Sequence, residues 1–316
     1  LAGAFVAGLL ASPASAQQGA PTRSGLPWAS GVTWPVQPFA AWRGRPLDLR
    51  TVFYGKTTWD HLRASAKTRP ELARMAIGFP MLPITHDGQL EQCAAGAFDA
   101  TLRAVRDNML ASGWKGSFVR LGWEANRIKG GGTGHAFPWA AKGDGSSYVG
   151  CFRRWVGILN PGTKNFTIVW NMGNLGSFPH PIAKLYPGND VVDIVASNFY
   201  DRCPPMTTDA EFKARMSPKD RWGNPAGPQA WLDWAKARGK RWALPEWGIG
   251  GSKTACSRPG FDNPFFVRKL HDFLRTNAAH VAFETYFNDS DSATGTHVIY
   301  PSTYNSKAAA EYRRLW

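Results

Sequence analysis

Past residue 35 the chain alternates between short apolar runs and longer amphipathic stretches. The apolar runs are PFAAW (38–42), RTVFYG (50–55), RMAIGFPML (74–82), SFVRLGW (117–123), FTIVWNM (166–172), VVDIVASNFY (191–200), RWALPEWGI (241–249) and VAFETYF (281–287). Each is short enough for a strand and is bounded by turn residues, so the pattern predicts eight strands. Between most of them the spacing becomes helical. In residues 89–113, Leu90, Cys93, Ala97, Leu102, Val105 and Leu110 fall close to one helical face, and the stretch ends at a glycine. Residues 146–162 close on Asn-Pro-Gly, helices are predicted in PQAWLDWAKARGK and NPFFVRKLHDFLRTNAAH ahead of the seventh and eighth runs, and SKAAAEYRRLW ends the chain.

Parallel strands need crossover helices, so eight strands separated by amphipathic helices predict a single α/β domain, a (β/α)8 TIM barrel spanning residues 17–316. A doubly wound open sheet is the competing architecture. The link from the first run to the second lacks an obvious helix, which is the weakest joint of the scheme. The glycine-rich stretches give no nucleotide fold: GGGTGH (130–135) lacks the helix of a dinucleotide loop, and GIGGSKT (248–254) has Ser252 where a phosphate loop needs glycine before its lysine. No Ser/Gly linker, charge block or repeat divides the chain.

Residues 1–16, an apolar stretch leading to Ala14-Ser15-Ala16, read as the remnant of a secretory signal peptide and are set apart from the fold. Beyond them no apolar run reaches the ~18 residues of a membrane span. The expectation is a secreted or periplasmic protein that is a monomer. Four cysteines, Cys93, Cys151, Cys203 and Cys256, fit an oxidising compartment and allow three pairings. The expected pairs are Cys93–Cys151 and Cys203–Cys256. No CxxC pair or histidine cluster suggests a metal. Lys and Arg number 37 against 23 Asp and Glu, a net charge of +14. The cations are scattered rather than gathered into an arm, which argues against nucleic acid and leaves an acidic polysaccharide or a charged envelope as partner.

In a barrel the reacting groups stand where the strands stop. Polar residues at those points are Glu124 and Asn126 after the fourth run, Asn171 on the fifth, Tyr200 and Asp201 at the sixth, Glu246 on the seventh, and Asn288 and Asp289 after the eighth. Glu124 (LGWEAN) and Glu246 (ALPEWGI) are carboxylates in aromatic surroundings. Burying such a group costs several kcal/mol unless it is paired, so two of them on opposite strands point to use. Two carboxyl groups across a cleft suit glycoside hydrolysis, one protonating the leaving oxygen while the other attacks or activates water. There is no GxSxG, HExxH or histidine partner motif for other hydrolytic chemistries.

The stretches VRLGWEAN, YPGNDVVDIVASNFYD and LPEWGIG together resemble glycoside hydrolase family 26 and its clan A relatives, retaining barrel enzymes with glutamates ending strands four and seven. The resemblance runs in order of elements from about Trp42 to the C-terminus. It implies Glu124 as acid/base, Glu246 as nucleophile, Arg120 beneath the site, Tyr200 as the nucleophile's hydrogen-bond donor, and no cofactor. The family's mannanases carry histidine before the acid, where this chain has Trp123, so mannan is not implied as substrate.

Fifteen tryptophans add a hint, since flat rings suit the apolar faces of sugars. Trp123, Trp139 and Trp247 are expected as platforms, with Arg120, Asn126, Asn171, Tyr200 and Asn288 completing the substrate-binding set. The resulting expectation is a secreted, retaining endo-β-glycoside hydrolase acting on a polysaccharide or oligosaccharide, an acidic exopolysaccharide first among candidates. In retaining geometry the carboxyl groups stand ~5–5.5 Å apart. The alternatives are a polysaccharide-binding or envelope-assembly protein on the same scaffold, and a transglycosylase.

Overall fold

The computed structural model describes residues 22–128, 136–174, 176–202, 204–250, 262–291, 295–301 and 305–316. Eight parallel strands close into one barrel in chain order, β1 pairing with both β2 and β8. The elements run β1 (Ala29–Val32), α1 (Val36–Arg43), β2 (Leu49–Phe53), α2 (Trp59–Ala66), β3 (Met75–Phe79), α3 (Leu90–Ala94), α4 (Asp99–Ala111), β4 (Phe118–Leu121), α5 (Ser146–Leu159), β5 (Thr167–Gly173) and β6 (Ile194–Tyr200). They continue with α6 (Asp209–Met216), α7 (Pro228–Lys236), β7 (Arg241–Gly248), α8 (Pro264–Thr276), β8 (Val281–Tyr286) and α9 (Ser306–Leu315). Among the described residues the β5 to β6 crossover holds a 3-10 turn, Ile182–Leu185, in place of an α-helix.

The first strand is not where the hydrophobic pattern put it. Residues 38–42 lie in α1, which buries Val36, Phe39 and Arg43, positions one and two turns apart. The strand is the less apolar Ala-Ser-Gly-Val of β1. A Cβ at Gly31 would stand 2.3 Å from the Leu49 carbonyl oxygen, so β1 is built from small residues because β2 passes close by. With that shift, α1 supplies the helix that the first joint lacked. The long stretch at 89–113 is two helices, broken where Gly96 adopts a positive φ of 92°.

Cys93 on α3 is bonded to Cys151 on α5, as expected. Cys203 and Cys256 lie outside the described residues, as does GGGTGH. No helix among the described residues is long and apolar enough to cross a membrane.

Alternation along the strands sorts side chains between the lumen and the helical layer. At the N-terminal end the lumen is plugged by Ala29, Leu49, Ala76, Val169, Ile194, Ala196, Ala243 and Phe283, with Phe118 stacked on Phe283 at 4.6 Å between ring centroids. One pleat higher on β2, β4, β5, β6 and β8 the lumen turns polar: Thr51, Arg120, Asn171, Asn198 and Thr285 are all buried there. The larger core lies outside the strands, where Val119, Leu121, Trp170, Trp242 and Leu244 pack against the helices.

Candidate active site

Arg120 stands in the lumen because it follows Phe118 by two residues on β4, and it is fully buried. A buried guanidinium needs partners, and two of its three nitrogens have them: Nε donates to Asn171 Oδ1 at 2.8 Å and Nη2 donates to Glu246 Oε1. Asn171 in turn donates to Asn198 Oδ1 at 3.3 Å, joining β4, β5 and β6 beneath the mouth.

Glu246 reaches that network through an irregularity in β7. Ala243 faces the lumen, so strict alternation would put Glu246, three residues on, on the outer face. The register of β7 against β8 shifts between Trp242 and Leu244 and again between Leu244 and Trp247. Such a bulge re-aims the side chains beyond it, and Pro245, which has no N–H to donate, sits inside it. Its carbonyl oxygen accepts from the Thr51 hydroxyl at 3.3 Å. Glu246 thereby points inward, where Tyr200 on β6 donates its hydroxyl to Oε2 at 3.0 Å. Burial and the negative charges of Glu246 and Glu124 push the Tyr200 phenol well above its ordinary range, keeping it a donor.

Glu124 follows β4 by three residues. Its φ of 55° makes it the one non-glycine residue with a left-handed backbone among the described residues. That conformation costs about 1–3 kcal/mol and persists where the surroundings enforce it. Here they do: the Glu124 N–H donates to the Asn171 carbonyl at 2.8 Å, bending the chain across β5. Both carboxylate oxygens are engaged, Oε1 by Asn198 Nδ2 at 2.9 Å and Oε2 by Arg127 Nη1 at 2.6 Å. The Glu124 charge raises the pKa of Arg127. Both glutamates are nearly buried, with side chains 9% and 10% exposed. They therefore share one polar network at the C-terminal mouth, Glu124 on Asn198 and Arg127, Glu246 on Arg120 and Tyr200.

The other expected site residues divide. Asn126 is buried in a reciprocal pair of 2.8 Å bonds with the backbone of Gly173, fixing the loop after β4 to the end of β5. Asn288 is buried and accepts from the Ile299 and Tyr300 N–H groups while donating to the Trp34 and Tyr300 carbonyls, a clamp for the chain beyond β8. Trp123 lies at the mouth among Phe53, Phe137 and Trp139 and is 5% exposed. Trp139 is fully buried, its indole N–H on the Trp123 carbonyl at 2.8 Å. Trp247 is fully buried as well, because the bulge that turns Glu246 inward turns Trp247 outward, against Tyr286 and Trp316 with its indole N–H on Glu284. Neither Trp139 nor Trp247 presents a ring face to solvent.

Sequence reasoning passed over Phe53, Asn198 and Arg127. Phe53 ends β2 42% exposed, its ring 5.4 Å from the Arg120 guanidinium and 5.6 Å from the Trp123 ring, and offers an open aromatic face at the mouth. Asn198 could have been found two residues before Tyr200, on the same face of the strand, and Arg127 three residues after Glu124. Among the described residues no three His, Cys, Asp or Glu side chains are grouped to hold a metal ion.

No protein-family model matches the chain and no curated protein matches it in sequence. Solved structures do match. GH26C from Muricauda sp. MAR_2010_75 superposes with a TM-score of 0.59 at 14% identity, over 90% of this chain and 84% of that one. This barrel has a family 26-like fold. A Bacillus subtilis mannanase gives 0.56 at 14% identity over 92% and 85% of the two chains. A family 26 β-mannanase from Bacteroides ovatus gives 0.53 at 14% identity over 94% and 89%. At such identities the likeness carries the family 26-like architecture and leaves the chemistry to the residues of the mouth.

Proposed function

We propose that the protein is a retaining β-glycoside hydrolase, Glu246 its nucleophile and Glu124 its acid/base. The observation that carries this is the single network holding two carboxylates at the ends of β4 and β7, each by its own pair of donors. Glu246 attacks the anomeric carbon as Glu124 protonates the leaving oxygen; Glu124 then takes a proton from water, which releases the sugar. Arg120 and Tyr200 orient the attacking carboxylate and soften its charge in the ground state, and Phe53 offers a ring face to the sugar. The chemistry needs no cofactor.

The net charge of +14 favours an acidic polysaccharide, and the disulfide between Cys93 and Cys151 favours an oxidising compartment outside the cytoplasm. The structural neighbours named as mannanases make β-mannan the neutral comparison. Reducing-sugar release from a panel of neutral and acidic β-glycans, by wild type beside Glu246→Ala, tests the assignment. Release by wild type alone is expected; equal release by both proteins excludes Glu246. Tight binding with no release by wild type would instead make the barrel a polysaccharide-binding module.

A further inference from the structure

A cleft of about 340 Å³ opens beside Glu124 and runs along the end of β6 toward α6. Its charged lining is unbalanced: Arg127, Arg202 and Arg215 face it, and Glu124 is its one carboxylate among the described residues. Arg215, on α6, donates to the carbonyls of Arg202 at 3.3 Å and Pro204 at 2.8 Å, which holds the loop after β6 in place. The Arg202 guanidinium stands 6.0 Å from the Tyr200 ring centroid, next to the residue that holds Glu246. Apolar Phe199, Pro218 and Ala226 form part of the wall beside polar Asn174 and Asn198. Cations concentrated in a cleft with low-dielectric walls focus a positive potential, and the planar guanidinium fork matches a carboxylate or sulfate.

Arg127 has a second part. While it donates to Glu124 Oε2 and Asn198 donates to Oε1, both oxygens of that carboxyl face donors and neither presents a proton toward a leaving group. A group that competes for Arg127 frees Oε2. Neutral sugars have no such group, and an anionic substituent does.

We infer that this cleft is a subsite for an anionic sugar residue, its carboxylate or sulfate received by Arg202 and Arg215, and that the same anion draws Arg127 off Glu124 so that the acid can act. The inference rests on the hydrolase reading and names the substrate class of that site. Acidity of the substrate then raises turnover as well as affinity, because the ion pair that blocks Glu124 opens only when an anion arrives.

The test compares a β-linked oligouronide, its carboxyl-reduced counterpart and an O-sulfated neutral oligosaccharide. Wild type, Arg127→Met and Arg202→Met are compared, with melting curves to confirm folding. A charge-assisted hydrogen bond lost with an anion corresponds to roughly 10- to 100-fold. Wild type is expected to favour an anionic substrate over the reduced one by about that factor in kcat/KM. Arg202→Met should lose the preference through KM. Arg127→Met should lose it through kcat, gaining turnover on the reduced substrate. Preference for the uronide alone assigns a carboxylate site, and preference for the sulfated sugar alone assigns a sulfate site. Equal rates of the wild type on charged and reduced substrates overturn the inference and leave the hydrolase reading standing. If no glycan is cleaved the hydrolase reading fails, and calorimetry with the same oligosaccharides still decides the subsite: equal affinity for charged and reduced forms overturns it.

Discussion

Tyr200 on β6 donates its hydroxyl to Glu246 on β7 at 3.0 Å, across neighbouring strands. The bond forms only because the β7 bulge turns the carboxylate inward. Removing the hydroxyl with Tyr200→Phe deletes one hydrogen bond to a charged group, worth about 1.5–3 kcal/mol where it counts. Activity should fall roughly 10- to 100-fold, chiefly in kcat, with the melting temperature little changed. Steady-state kinetics beside a melting curve checks this; unaltered kcat would remove Tyr200 from the mechanism.

Asp201, the next residue, is fully buried, accepting from the Met206 N–H at 2.9 Å and from Asn263 Nδ2 at 2.6 Å. Burial pushes its carboxyl up from 3.8 to about 6. The folded state therefore holds this proton more tightly than the unfolded chain. Its contribution is full below about pH 3.8 and is lost as the pH rises to about 6, of order 3 kcal/mol for a shift of this size. Asp201→Asn should flatten that part of the stability curve. Denaturant midpoints between pH 4 and 6 show it, and an unchanged slope in the variant would assign the dependence elsewhere.

The disulfide between Cys93 and Cys151 spans 58 residues and ties α3 to α5. Closing a loop of that length lowers the entropy of the unfolded chain by an amount worth about 4 kcal/mol, with 2–4 typical of measured bridges. Cys93→Ser with Cys151→Ser should lower stability by about that amount and leave kcat unchanged, since neither cysteine belongs to the network that holds the two glutamates. Equal midpoints for the variant and wild type would contradict it.

How far this was legible in the sequence differs between strands and site. Seven strands fall within a few residues of their apolar runs, since a buried parallel strand is nearly continuous in hydrophobic residues. β1 escaped because closeness to β2 requires Gly31, and small residues carry no hydrophobic signal, while the five apolar residues of 38–42 are too few to separate strand from helix. Glu124 and Glu246 were visible as carboxylates in apolar company. Trp247 was misplaced as a sugar platform because a flat ring beside a carboxylate at a strand's end reads as part of the mouth, whereas neighbours on a strand face opposite sides and the β7 bulge gives the inner face to residue 246. Arg127 was invisible as a site residue because its role depends on the turn at Glu124, whose left-handed backbone no residue type announces.

On the proposed reading Glu246 attacks and Glu124 serves it as acid and then base. The most direct measurement is proton NMR of the first product formed from a cleaved β-glycan, before mutarotation scrambles the anomers. Double displacement predicts the β-anomer first, from wild type and not from Glu246→Ala. An α-anomer as first product means a single inverting displacement and contradicts the account.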